Sequence, residues 1–209
     1  MDPVVKRYDE LAIDYDRRWR DYTCATLDAL IPWLNLAEND RVLDVPCGTG
    51  ALEERLQVVS PGVEVVGVDA SAAMLEHARA KHEGKAYRWI QADVHALPLD
   101  DESFDVVVCV NSFHCFDCPD DVLAEFARVL RPGGRLLILD WCDDYFFCKL
   151  CGFWLRWFDP AFRRVFTSHE CAHLIQDAGF VVHRRRRFRR GLIWGLMVFE
   201  AMKPAASTL

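Results

Sequence analysis

Apolar residues follow two rhythms along this chain, and the rhythms alternate. Short, nearly unbroken apolar runs are separated by stretches in which apolar positions recur every three or four residues. The first rhythm predicts buried strands and the second amphipathic helices. Helices are expected over Val4–Arg18 and Thr23–Leu36, then a strand over Arg41–Val45 and a helix over Ala51–Val58. Pro61-Gly62 turns the chain into a strand at Val63–Val68, followed by a helix at Ala72–Lys81 and a strand near Ala86–Ala92. Phe104–Val110 is a Val- and Cys-rich strand of the kind buried on both faces. A helix over Asp121–Leu130 stops at Arg131-Pro132-Gly133-Gly134, and Arg135–Asp140 is the fifth strand. Strictly alternating strand and helix predicts a doubly wound parallel sheet with helices on both faces.

Residues 41 to 50, Arg-Val-Leu-Asp-Val-Pro-Cys-Gly-Thr-Gly, end one of those strands in a glycine turn that leads into a helix. Such a turn lets backbone approach a bound phosphate or nucleoside, because glycine has no Cβ and tolerates positive φ. Gly48-Thr49-Gly50 lacks the third glycine of a dinucleotide fingerprint and the Gly-Lys-Ser/Thr ending of a P-loop. Acids recur at the strand ends: Asp44, Asp69 and Asp93. In open α/β sheets the ligand sits beyond those carboxyl ends, and an acid about 20 residues after the turn meets a ribose. Asp69 is placed for that role, where one carboxylate can take both hydroxyls.

The glycine turn resembles motif I of the class I S-adenosylmethionine-dependent methyltransferases. The likeness continues through Val68-Asp69-Ala70-Ser71, Gln91-Ala92-Asp93-Val94, Ser103-Phe104-Asp105-Val106-Val107-Val108 and Arg128-Val129-Leu130-Arg131-Pro132-Gly133-Gly134. Those phrases are typical of the ubiquinone-biosynthesis-like, type 11 group. The resemblance is strong over residues 40 to 141, with a weaker echo in Asp177-Ala178-Gly179-Phe180. It implies a single-domain, Rossmann-like, seven-stranded sheet, mostly parallel, closed by a C-terminal antiparallel hairpin. It also implies S-adenosylmethionine as cofactor. Asp69 would hold the ribose, Asp93 the adenine amine, and Asp44 the methionine end through water. Gly48, Gly50, Ala70, Met74, Val94 and Asn111 would complete the cofactor set, with Met74 packed on the adenine. One departure is plain: Pro46 stands where the family has its first glycine, and proline has no amide to donate. In the loop Asn111-Ser112-Phe113-His114-Cys115-Phe116, His114 is the candidate general base by position. The Asn/Asp-Pro-Pro-Tyr/Phe signature of nucleobase amine methylation is absent from this chain, which argues against DNA or RNA bases as acceptors.

The expected layout is one domain over residues 1–209. It comprises an N-terminal helical cap (1–38), a cofactor core (40–141), an aromatic lid (142–166), and a final helix and hairpin (167–203). Tyr15 and Trp19 in the cap, with Trp141 and Tyr145 at the lid, are candidate substrate contacts for an apolar or aromatic acceptor. The alternative for the lid aromatics is a helix packed on the sheet.

Composition sharpens this. The chain has 209 residues, 52% hydrophobic and 27% charged, enough for a full core. Met1-Asp2-Pro3 opens on no leader pattern, and no apolar run reaches the roughly 18 residues of a membrane span, so a cytoplasmic enzyme is expected. Nine scattered cysteines read as free thiols. The net charge of −7 hides an asymmetry: residues 149–209 hold 11 Lys/Arg against 4 Asp/Glu. Arg184 to Arg190 supply most of that excess. The run reads first as a solvated outer strand; contact with RNA or an anionic membrane is the sharper alternative, and DNA is not expected. His169-Glu170-Cys171-Ala172-His173 matches a zinc-protease pattern, but Thr167 and Glu170 form a capping box in front of an amphipathic helix, and no metal is expected. The expected activity is methyl transfer by in-line displacement to a small acceptor. A membrane-surface lipid or quinone methyltransferase is the second reading, and a non-catalytic cofactor- or RNA-binding protein the third.

Overall fold

The computed structural model of the chain describes residues 2–159, 161–191 and 194–205. The strands are β1 (Arg41–Asp44), β2 (Glu64–Asp69), β3 (Arg88–Gln91), β4 (Phe104–Val110), β5 (Leu130–Trp141), β6 (Val181–Arg190) and β7 (Trp194–Met202). They form one sheet of order β3-β2-β1-β4-β5-β7-β6. The first five run parallel, β7 is antiparallel to β5, and β6 to β7. The expected doubly wound, Rossmann-like sheet with its C-terminal hairpin is therefore present. Leu192 and Ile193, the first residues of the apolar stretch Leu192–Phe199 expected in that hairpin, lie outside the described residues.

Two apolar layers sandwich the sheet. On one face Leu43, Val66, Val107 and Ile138 pack under Leu123 and Phe126 of α5 (Pro119–Val129) and Ile175 of α7 (Ser168–Asp177). On the other, Val42, Val65, Val106 and Val108 meet Leu27, Leu30 and Leu34 of α2 (Tyr15–Leu34) and Leu52 and Leu56 of α3 (Ala51–Val59). Alternate residues of each central strand feed opposite layers, so the strands read as continuous apolar runs. α4 (Ala72–Lys81) matches its expected span, with Ser71 accepting from the Met74 amide as N-cap. Thr167 and Glu170 make the capping box of α7.

The N-terminal helices differ from expectation. α1 is Pro3–Leu11, a 3₁₀ turn covers Ala12–Asp14, and α2 then runs unbroken for 20 residues. The break was expected at residues 19–22, where Trp19, Asp21 and Tyr22 mix polarity; packing of the aromatic face overrides that local signal. β3 is shorter than expected, because it is the edge strand and only its middle residues are partly covered. β5 begins earlier, since Gly133 and Gly134 pair with Lys203 and carry the ladder through the turn.

Candidate functional site

The strand order reverses between β1 and β4, and a cavity of about 480 Å³ opens beyond the carboxyl ends of β1, β2 and β4. Its wall is the glycine turn. The Cys47 amide donates to the Val68 carbonyl at 2.9 Å, which folds the turn over the end of β2. Gly48 (φ +54°) and Gly50 (φ +76°) are both left-handed, a region costly to other residues. They part company in their surroundings. A Cβ on Gly48 would meet no atom within 4 Å, whereas one on Gly50 would lie 2.8 Å from Trp89 and 2.9 Å from His82. Gly48 lines the cavity; Gly50 does not, and its carbonyl is 2.8 Å from the His82 Nε2.

Asp69 accepts from the Gly48 and Ser71 amides, each at 2.8 Å. Removal from water outweighs those amides and pushes its carboxyl up to about 6. Asp44 is buried beneath, and Glu53 of α3 is fully buried as well. Neither Glu53 carboxylate oxygen has a hydrogen-bond partner among the described residues. Burial pushes Asp44 well up and Glu53 to about 7. Asp93 and Val94 line the far side of the cavity, and Ala70 and buried Met74 its floor. The amide of His95, and then its ring, hold the Asp93 carboxyl below its usual range.

Asn111 enters from β4 at φ +56°, a conformation asparagine tolerates better than most residues. Its Oδ1 accepts from the Tyr22 hydroxyl at 2.9 Å and its Nδ2 donates to the Thr26 Oγ1 at 2.9 Å. Trp141 Nε1 in turn donates to the Tyr22 hydroxyl at 2.7 Å.

α1 and the start of α2 roof the cavity with Val5, Tyr8 and Tyr15. The roof is pinned by polar contacts to the rim. Ser71 Oγ donates to Asp9 at 2.6 Å, and Asp16 accepts from Thr49 and pairs with Lys81.

A family model described as a methyltransferase domain matches residues 43–138, the stretch that carries the turn, the strand-end acids and Asn111. A demethylmenaquinone methyltransferase of Thermus thermophilus is 44% identical over 143 residues, 66% of this chain and 62% of that protein. Residues 43–138 thus form a methyltransferase domain similar to those of the class I S-adenosylmethionine-dependent methyltransferases. A ubiquinone/menaquinone biosynthesis C-methyltransferase of Desulfotalea psychrophila is 29% identical over 226 residues, 94% of this chain and 88% of the relative. Among solved structures, a chain of a complex between the Haloferax volcanii Trm112 methyltransferase activator and a methyltransferase superposes with a TM-score of 0.83. It is 22% identical over 94% of this chain and 97% of that one, a likeness of fold. The chain spans 62% and 56% of the length of two of its curated relatives, the Thermus thermophilus protein and one from Deinococcus radiodurans.

The cofactor of the class is S-adenosylmethionine, and the cavity suits it. The open space over Gly48 is a cradle that any Cβ would fill, and the volume falls within the usual range for small-molecule sites. Pro46, which has no amide to donate, also lines the cavity.

Besides Gly50, four expected residues stand outside the cavity. His114 is 7% exposed, with Nδ1 2.7 Å from Asp140 Oδ1 and its amide donating to Asp140 Oδ2 at 3.0 Å. Burial alone would lower its pKa, but Asp140 and Cys115 outweigh that and hold the imidazole well above its usual range. Its ring stacks on Trp141 at 4.2 Å, and the neighbouring Cys115 lines the cavity in its place. Trp141 continues into Trp194 at 5.1 Å, and Trp19 packs on Tyr22 and Trp194. Tyr145 lies against Gly195 and under the Arg189 guanidinium at 4.9 Å. These aromatics buttress Asn111 and the sheet instead of lining the cavity. The reason is shared: each reaches its partner across the fold, which spacing along the chain does not reveal.

Residues not anticipated include Tyr22, Thr26, Glu53, Cys115 and Asp140. Tyr22 extends the Tyr15, Trp19 stripe at helical spacing, and Asp140 is another acid late in a strand, so both signals were present in the sequence. Glu53 is an acid between Leu52 and Leu56 on a core-facing helix, which is itself a flag. His169 and His173 stand 3.3 Å apart on the exposed face of α7, and among the described residues no group of three or more metal-binding side chains forms. All nine cysteines are free. No helix among the described residues is long and apolar enough to cross a membrane.

Proposed function

We propose that this chain transfers the methyl group of S-adenosylmethionine to a small apolar or aromatic acceptor by in-line displacement. The observation that carries the reading is the single roofed cavity into which Asp44, Gly48, Asp69, Met74, Asp93 and Asn111 all converge. When bound, the cofactor supplies a sulfonium-activated methyl group. Asp69 would take the ribose hydroxyls, Asp93 the adenine amine, and Met74 and Val94 the adenine faces. Asp44 and Asn111 would border the methionine end. Ala70 and the Gly48 backbone would make close main-chain contacts. Gly50, packed against Trp89 and His82, supports the turn from behind.

The acceptor side is apolar. Tyr8, Tyr15, Leu27, Val110, Cys115 and Phe116 share the cavity and support an apolar or aromatic substrate. Relatives named for demethylmenaquinone and for ubiquinone/menaquinone biosynthesis point the same way. In-line transfer depends chiefly on holding the acceptor near the reacting carbon. His114, clamped by Asp140 and separated from the cavity by Cys115, acts in this reading as a positioning residue that fixes the Phe113–Phe116 loop. Residues 1–209 would work as one domain, with residues 1–38 as the cap.

Calorimetry with S-adenosylmethionine and S-adenosylhomocysteine tests the site, and turnover of methyl-labelled cofactor against phenols and quinols tests the acceptor. Asp69→Asn is expected to weaken cofactor binding by roughly tenfold or more, the loss of a charge-assisted pair. Unchanged affinity in that variant would overturn the assignment.

A further inference from the structure

The helix α6 (Phe146–Phe158) has an inverted surface. Its inner side is small: Cys148 is buried, Cys151 is partly covered, and Gly152 lies against Phe162 and Val165. Its outer side is aromatic. Phe146 is 72% exposed, Phe153 64%, Trp154 59%, Trp157 75% and Phe158 73%, with Leu150 beside them. A water-facing helix normally carries charge there, and a contiguous apolar patch marks a surface that is covered in use. The sequence left two roles open for these aromatics, a lid on the substrate or packing on the sheet. They do neither.

What covers them follows from length and from charge. Thirteen residues span about 20 Å as helix, short of the roughly 30 Å hydrocarbon core, so α6 can lie on a bilayer but not cross it. Trp and Phe are the side chains that settle at the lipid–water boundary. Strand β6 starts its cationic face beside the helix. Arg187 pairs with Asp144 at 2.9 Å and Arg189 lies over Tyr145, the two residues immediately before α6. Arg185, Arg186, Arg187 and Arg189 are all exposed. Two copies meeting through this face would bring like charges together, whereas anionic headgroups complement them.

We propose that α6 and the arginines of β6 form a docking surface for an anionic lipid bilayer. The far end of α6 reaches the cavity rim. Asp159 lies 3.8 Å from Arg7 of α1, and Arg163 pairs with Asp2 and Asp117, both of which line the cavity. Docking therefore sets the cavity beside the lipid surface, from which a lipid-soluble acceptor would be drawn; that last step rests on the proposed methyl transfer, while the docking itself does not.

The test is co-sedimentation of the full chain with phosphatidylcholine vesicles, with and without phosphatidylglycerol, at low and high salt. Binding is expected only with phosphatidylglycerol, weakened by salt, with a blue shift of tryptophan fluorescence. Phe153→Ser combined with Trp157→Ser should reduce partitioning roughly tenfold or more. Arg186→Ser combined with Arg189→Ser should abolish its salt dependence. Both variants should keep the thermal midpoint and the calorimetric affinity for S-adenosylmethionine, which separates failure of docking from failure of the cofactor site. Absence of binding at low salt, or full binding by the aromatic variant, would overturn the proposal. So would self-association in light scattering, or an RNA gel shift, that depends on the same aromatics while vesicles are ignored.

Discussion

Gly48 and Gly50 share a turn and a sign of φ, yet they are held by different demands. Gly48 faces open cavity, so alanine there would cost about 1–2 kcal/mol in backbone strain and would fill ligand space. Gly50→Ala adds a collision with two rings to the same strain, about 2–4 kcal/mol together. Calorimetry and thermal melts should divide cleanly: Gly48→Ala loses roughly tenfold in cofactor affinity with a modest drop in midpoint. Gly50→Ala loses mainly stability. Glu53 makes a second residue-scale prediction. Its folded pKa of about 7 lies above the ordinary value of 4.5, so the folded state holds the extra proton and stability falls as pH rises across that window. Glu53→Gln keeps the size of the side chain and removes the titration. Melts from pH 4.5 to 8 should converge at the acid end, with the variant about 1–3 kcal/mol more stable at the alkaline end. Parallel curves would show that the pair does not titrate in that range.

Among the elements, the N-terminal cap is the one held least by the core. No residue of α1 is buried, and its hold on the rim runs through Asp9 to Ser71, with Asp16 on the next helix bridging to Thr49 and Lys81. Contacts of that kind are modest and open readily. Asp9→Ala should speed cofactor release several-fold in stopped-flow measurements while moving the thermal midpoint by little. Most of the elements were legible because their periods are clean. α4 and β4 match their expected spans, since Ser71 caps the one and valines fill the other. The α1–α2 break was not legible, because what carries α2 through residues 19–22 is the packing of Trp19 and Tyr22 on Trp194, a tertiary fact.

For the whole molecule, the strand order ties the ends of the chain together. β7 lies between β5 and β6, so the last strand in sequence covers the edge of a core strand. Removing residues 181–205 should expose β5 and yield an aggregating or unfolded chain by circular dichroism and size exclusion, not a stable core. A folded, monomeric product would divide the chain into independent parts. The charge asymmetry resolves partly into this topology as well: Arg184 pairs with Glu200 and Arg135 with the same carboxylate, while the outer arginines stay exposed beside α6.

The sequence by itself determined the alternation of strand and helix, the glycine turn, and the acids at strand ends. These are local and periodic, so spacing alone places them at one edge of a parallel sheet. Only the tertiary structure decided which glycine meets the ligand, that His114 spends its imidazole on Asp140, and that the aromatics of α6 face outward. Each depends on atoms brought together from distant parts of the chain, and burial, the quantity that sets their chemistry, is a property of the packed molecule.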